Sequence, residues 1–125
     1  MMIQRLAFLG VRASSPDAFA ATVGLYRDLL GLEPFLEDAT SVRFRAADGT
    51  EIHVYGPTDE DHDFFGAAPV VGLGVDDFDA VRARMVGAGI AFEGEPQRAG
   101  NAVWNHYRAP DGNVYEIMGR VAADG

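Results

Sequence analysis

The sequence predicts an α+β chain built from two similar halves, and three observations predict it. Ala109 to Gly119 reads A-P-D-G-N-V-Y-E-I-M-G, and 63 positions earlier (116 minus 53) Ala46 to Gly56 reads A-A-D-G-T-E-I-H-V-Y-G. Asp48 thus matches Asp111, Gly49 matches Gly112, Gly56 matches Gly119, and His53 falls where Glu116 falls. Nearer the start of each half, Asp17-Ala18-Phe19 matches Asp79-Ala80-Val81 at almost the same offset. Two copies at half-chain spacing indicate paired half-domains, because solenoid repeats recur every ~20 to 50 residues and in larger number. The third observation is that each half runs strand, helix, then three short strands.

In chain order, Ile3 to Ala13 is an apolar run that reads as a buried strand. A helix then starts at Pro16: Ser15 can cap it, proline at the first position sacrifices no needed N–H, and Asp17 complements the helix dipole. Phe19, Val23, Tyr26 and Leu30 form its apolar stripe, and Gly31 stops it. Strands are expected at 33–38, 41–47 and 51–55, with Asp48-Gly49 as the hairpin turn between the last two. The second half repeats the order: a strand at 69–75, a helix opening at Asp76 with Phe78, Val81 and Met85 on one side, and strands near 90–93, 102–108 and 113–118. The expected organisation is one domain over 1–125, with a first module over about 3–56, an acidic linker over about 57–68 and a second module over about 69–120.

Composition narrows the function classes. With no cysteine there is no disulfide framework and no thiolate nucleophile or ligand, and with no lysine there is no side-chain amine for Schiff-base chemistry. A net charge of −9 with scattered arginines excludes a phosphate-neutralising nucleic-acid surface. No apolar run is long enough for a membrane helix, and the N-terminus lacks signal-peptide character, so the expectation is a cytoplasmic protein. The acidic run Asp59, Glu60, Asp61, Asp63 reads as a solvated linker; as a calcium loop it fails, because Phe64 and Val70 stand where glycine and glutamate are needed.

The helix end Y-R-D-L-L-G-L at Tyr26 to Leu32 and the hairpin H-Y-R-A-P-D-G-N-V-Y-E-I at His106 to Ile117 resemble the vicinal oxygen chelate superfamily of glyoxalases, bleomycin resistance proteins and extradiol dioxygenases. The resemblance implies two βαβββ modules forming a cup-shaped mixed sheet with helices outside, a small-molecule ligand in the cup, and a homodimer. Metal-dependent members bind a divalent ion through the first and last strand of each module, which here are Phe8, His53, Val70 and Glu116. Phenylalanine and valine have no lone pair to give, so two of the four positions are non-ligands.

Alternation along the strands assigns faces, since residues two apart point the same way. Glu116 shares a face with Val114 and Met118, His53 with Glu51 and Tyr55, and His106 with Trp104 and Arg108. Leu6, Phe8, Gly10, Gly72 and Gly74 also face inward, and the glycines suggest either empty volume or close strand crossing. The expected ligand-binding residues are Phe8, Arg43, Tyr55, Trp104, Arg108 and Met118; the arginines would favour an anion and the aromatics a planar or cationic ligand. Two functions follow. The first is a binding protein with an incomplete metal site and no resident cofactor, one that sequesters an antibiotic or similar small molecule. The alternative is a lyase, isomerase or dioxygenase using one divalent metal on His53, His106 and Glu116, with these same residues as catalytic groups. In either, the histidines could instead form a polar floor by bonding to each other, to Glu116 or to Asn105.

Overall fold

A computed structural model describes residues 2–121. The described chain has an α+β fold of nine strands and two α-helices, in the order expected with one addition. The strands are β1 (Ile3–Arg12), β2 (Pro34–Glu37), β3 (Ser41–Arg45), β4 (Glu51–Tyr55), β5 (Val70–Val75), β6 (Ala91–Phe92), β7 (Gln97–Ala99), β8 (Ala102–Arg108) and β9 (Val114–Arg120); the helices are α1 (Pro16–Gly24) and α2 (Phe78–Gly87). The addition is β7, three residues in a Gly- and Pro-rich stretch that pair with β8 and carry no apolar alternation of their own. Among the described residues no helix is long and apolar enough to cross a membrane.

The structure forms two compact units, one running from Phe8 to Val70 and the other made of the residues up to Ala7 together with those from Val71 onward. The division falls inside β1. Arg12 to Phe8 pair with β4 in the first unit, whereas Arg5 and Ala7 lie against Gly74, and the Met2 carbonyl accepts from the Asp76 N–H, in the second. One ten-residue strand is long enough to serve both.

In the Phe8–Val70 unit, β2, β3 and β4 are antiparallel neighbours and β4 lies parallel to β1. Ser15 caps α1 by accepting from the Ala18 N–H at 3.1 Å, as its position before Pro16 predicts. Beyond Gly24 the helix widens into a π-helical turn over Leu25–Leu29, whose Leu30 N–H donates to the Leu25 carbonyl, and Gly31 ends it with a φ of 75° that other residues rarely adopt. Val23, Phe19 and Tyr26 pack on Val42, Phe44 and Val54, the apolar face of the strands.

The second unit repeats this plan. β5 is parallel to β9, β9 antiparallel to β8, and β6 and β7 each antiparallel to β8. Its helix starts one residue later than expected, because Asp77 and not Asp76 caps it, accepting from the Ala80 N–H at 3.1 Å. Phe78 and Val81 pack on Val75, Val103, Tyr107 and Ile117. The two Asp-Gly turns are equivalent in detail: Gly49 and Gly112 donate to Ala46 and Ala109 at 2.9 Å, and Asp48 and Asp111 accept from the N–H groups of Thr50 and Asn113. Duplication therefore reaches the hydrogen bonds of the turns.

The inward glycine at position 10 does not open space. A Cβ there would lie 2.6 Å from Cζ of Phe8 and 2.8 Å from Cε2 of Phe65, so the absence of a side chain admits two aromatic rings, the close-packing alternative. The acidic linker is likewise not wholly solvated. Phe65 is buried, and Asp59, 8% exposed, accepts from both the N–H and Nδ1 of His62.

Two substitutions test this packing. Phe44→Ala, at a fully buried position, is expected to cost about 3–5 kcal/mol in denaturant unfolding. Gly10→Ala is expected to cost about 1–3 kcal/mol through overpacking, and an unchanged midpoint would contradict the crowding around it.

Candidate functional site

Because each sheet buries its apolar face under a helix, its polar residues collect on the other face. In the second unit the register sets His106 opposite Glu116, Trp104 opposite Met118 and Arg108 opposite Val114, with Gly72 and Gly74 of β5 beside Glu116 and Met118. The four expected residues Trp104, His106, Glu116 and Met118 are therefore neighbours. His106 Nε2 lies 2.9 Å from Glu116 Oε2, but without the alignment of a directed hydrogen bond, so the contact is one of proximity.

Glu116 is 2% exposed, and its second oxygen, Oε1, is sealed from solvent with no hydrogen-bond partner among the described residues. Leaving a buried acceptor unmatched costs about 1–3 kcal/mol, and more for a charged one. Such a group calls for an explanation.

Above it, Trp104 is half-buried and directs its indole N–H to Gln97 Oε1 at 3.1 Å. Gln97 was not foreseen, because it belongs to β7. Arg108 sits apart at the exposed strand end, donating to the Gly112 carbonyl and lying 3.6 Å from Glu93. Asn105, one of the expected partners of the histidines, points to the helix side instead, where Oδ1 accepts from Arg82 Nε at 2.7 Å. The alternation rule already excluded it, since neighbours of His106 in sequence face the other way.

In the first unit, Phe8, Gly10 and Arg12 of β1 and Arg43 and Arg45 of β3 line up with Glu51, His53 and Tyr55 of β4. His53 Nε2 is 2.8 Å from Glu51 Oε1 and its Nδ1 is 2.8 Å from the Tyr55 hydroxyl. An ionised Glu51 selects the tautomer with the proton on Nε2, so Nδ1 accepts from Tyr55. Phe8 meets the imidazole edge-on at 4.9 Å, and Tyr55 stacks on His62 at 3.7 Å. Glu51 was placed on this face by alternation, yet its grip on His53 was not anticipated; carboxylate and imidazole two residues apart on a strand were the available signal.

That grip bears on whether His53 could hold a metal ion. Both ring nitrogens of His53 are occupied, so it would have to release one to ligate a cation, while Phe8 and Val70 offer no donor. Among the described residues no group of three or more His, Cys, Asp or Glu side chains is placed to hold a metal ion. The donor set does not fit a resident divalent ion.

The family model for the Glyoxalase/Bleomycin resistance protein/Dioxygenase superfamily matches residues 13–117. The chain belongs to this superfamily. Solved structures of the superfamily's fold agree. A Mn(II)-bound glyoxalase from Novosphingobium aromaticivorans is 26% identical with a TM-score of 0.74, over 97% of this chain but 40% of that one, so this chain spans well under half of that protein. Methylmalonyl-CoA epimerase from Mycobacterium tuberculosis matches at 19% identity and a TM-score of 0.69, over 96% and 90% of the two chains. A superfamily member from Vibrio splendidus 12B01 matches at 16% identity and 0.65, over 92% and 97%. Comparison with curated proteins finds no match.

Glu51 supplies a pH test. Its carboxyl is held below the usual value of 4.5, chiefly by the hydrogen bond from His53, with partial burial opposing and the charges of His53 and Arg45 adding to the effect. A carboxylate whose folded pKa is depressed stabilises the fold above its unfolded pKa and loses that contribution as pH falls through the folded one. Glu51→Gln is therefore expected to lower the melting temperature at neutral pH and to shrink the fall in melting temperature between about pH 5 and pH 3. An identical acid profile in both proteins would remove the Glu51–His53 pair from the account.

Proposed function

We propose that this superfamily member is a small-molecule-binding protein that takes its ligand at the Trp104–His106–Glu116–Met118 face without a resident metal. The observation that carries the reading is the buried Oε1 of Glu116, an acceptor left without a donor. A ligand N–H or O–H directed at Oε1 would supply the missing hydrogen bond, and the half-buried indole of Trp104 would lie along an apolar or planar part of the same ligand. Met118, flexible and placed opposite Trp104, is the side chain that can swing aside to admit it. Sequestration of an organic compound such as an antibiotic needs nothing more than this.

A second reading rests on the 2.9 Å approach of His106 Nε2 to Glu116 Oε2. A carboxylate approached on one side by an imidazole and unpaired on the other has the layout of a general base with its orienting partner, suited to removing a proton from a substrate that reaches it. The two readings separate in one variant. Glu116→Gln keeps the shape but offers a donor as well as an acceptor and cannot take a proton, so loss of binding favours the first, whereas retained binding with lost turnover favours the second.

Titration of the purified protein with panels of planar amines and amides, followed by Trp104 fluorescence, is expected to give saturable quenching that weakens about tenfold or more in Glu116→Gln, the range expected for a hydrogen bond to a charged group. No quenching by any compound at micromolar concentration would count against the site. Elemental analysis of protein purified without chelator is expected to find far less than one transition metal per chain, and EDTA is expected to leave the melting temperature unchanged. Near-stoichiometric metal would reinstate the metal-dependent enzyme.

A further inference from the structure

The face of the first unit carries a separate and opposite imbalance. Arg43 on β3 stands in register opposite His53, and its Nε is sealed from solvent without a hydrogen-bond partner among the described residues. Arg43 is half-buried, and among the described residues its guanidinium forms no ion pair, although a guanidinium drawn partly out of water ordinarily faces a carboxylate.

The acids that could neutralise it are taken. Glu51 Oε1 accepts from His53, and Glu51 Oε2 lies 3.7 Å from Arg45. Asp59 is bound by His62 through its backbone N–H and Nδ1. Arg12, on the far side of β4, spends Nη2 on the carbonyls of Pro57 and Asp59. His53 cannot accept from Arg43, since both its nitrogens are in use. In a chain with a net charge of −9, this face therefore holds an uncompensated cation.

We propose that Arg43 is an oxyanion-binding site that receives the carboxylate or phosphate group of a small molecule. Once a small side-chain turn uncovers Nε, the guanidinium offers Nε–H and an adjacent Nη–H as a planar fork, which matches two oxygens of one such group and would satisfy the stranded Nε. Apolar surface stands beside it: Phe35 lies 6.2 Å from the His53 ring and carries Arg45 over its face at 4.2 Å, and Phe8 meets His53 from another direction. An aromatic or aliphatic acid thus fits better than a bare inorganic ion. The site is independent of the Glu116 reading and can fail or hold without it.

The test uses the whole chain with benzoate and inorganic phosphate as probes. ¹⁵N-edited NMR of the arginine Nε–H groups is expected to show saturable movement of the Arg43 resonance, with benzoate binding tighter than phosphate. Arg43→Met is expected to weaken benzoate binding at least about tenfold, as for loss of a charge-assisted bidentate pair. Without ligand, the same variant is expected to melt at an equal or higher temperature, because a half-buried cation with a sealed, unmatched Nε has been replaced by an apolar chain. Arg27→Met, at an exposed arginine paired with Asp28 and Glu37, is the control and is expected to leave binding unchanged. Equal binding by the Arg43 and Arg27 variants, no movement of the Arg43 resonance with either probe, or a lower melting temperature in Arg43→Met with binding intact would overturn the assignment.

Discussion

The constraint on which this molecule turns is that strands covered by a helix on one side send nearly all their polar side chains to the other, Asn105 being met on the helix side by Arg82. Val42, Phe44 and Val54 in one unit, and Val103, Tyr107 and Ile117 in the other, leave no room for charge beneath α1 and α2. Alternation then sends His53, Arg43 and Glu51, and likewise His106 and Glu116, to the opposite faces, where they must satisfy one another or wait for a partner. The described polar face of each unit is partly self-sufficient and partly not.

Where it is self-sufficient, chemistry is lost. Glu51 and Tyr55 occupy both nitrogens of His53, so the imidazole best placed by the duplication to act as a ligand is already engaged. Where it is not, Glu116 Oε1 lacks a donor and Arg43 Nε, like Arg12 Nε, lacks an acceptor among the described residues. An unmatched polar atom sealed from water lowers stability at both positions.

Most of the architecture was legible beforehand, and for a local reason. The Asp-Gly turns, the Ser15 cap and the Gly31 stop are determined by residues within a few positions of one another, and each forms as read. β7 escaped because three residues paired at an edge leave no periodic trace. The burial of Asp59 and Phe65 escaped as well, because a run of acids looks solvated until a remote glycine, Gly10, is seen to make room for an aromatic ring.

The sequence by itself determined the duplicated plan, the two helices with their caps and turns, the superfamily, and which residues share a face, because all of these follow from spacing and local conformation. Only the tertiary structure decided which polar groups find partners. That Glu51 and Tyr55 hold His53, and that His62 holds Asp59, depends on the rotamers of side chains two or three positions apart, while the lack of a partner among the described residues for Glu116 Oε1 and Arg43 Nε depends on what the neighbouring strands bring within reach. The physical reason is that a hydrogen bond is satisfied to within tenths of an ångström, a precision that alternation and spacing do not carry.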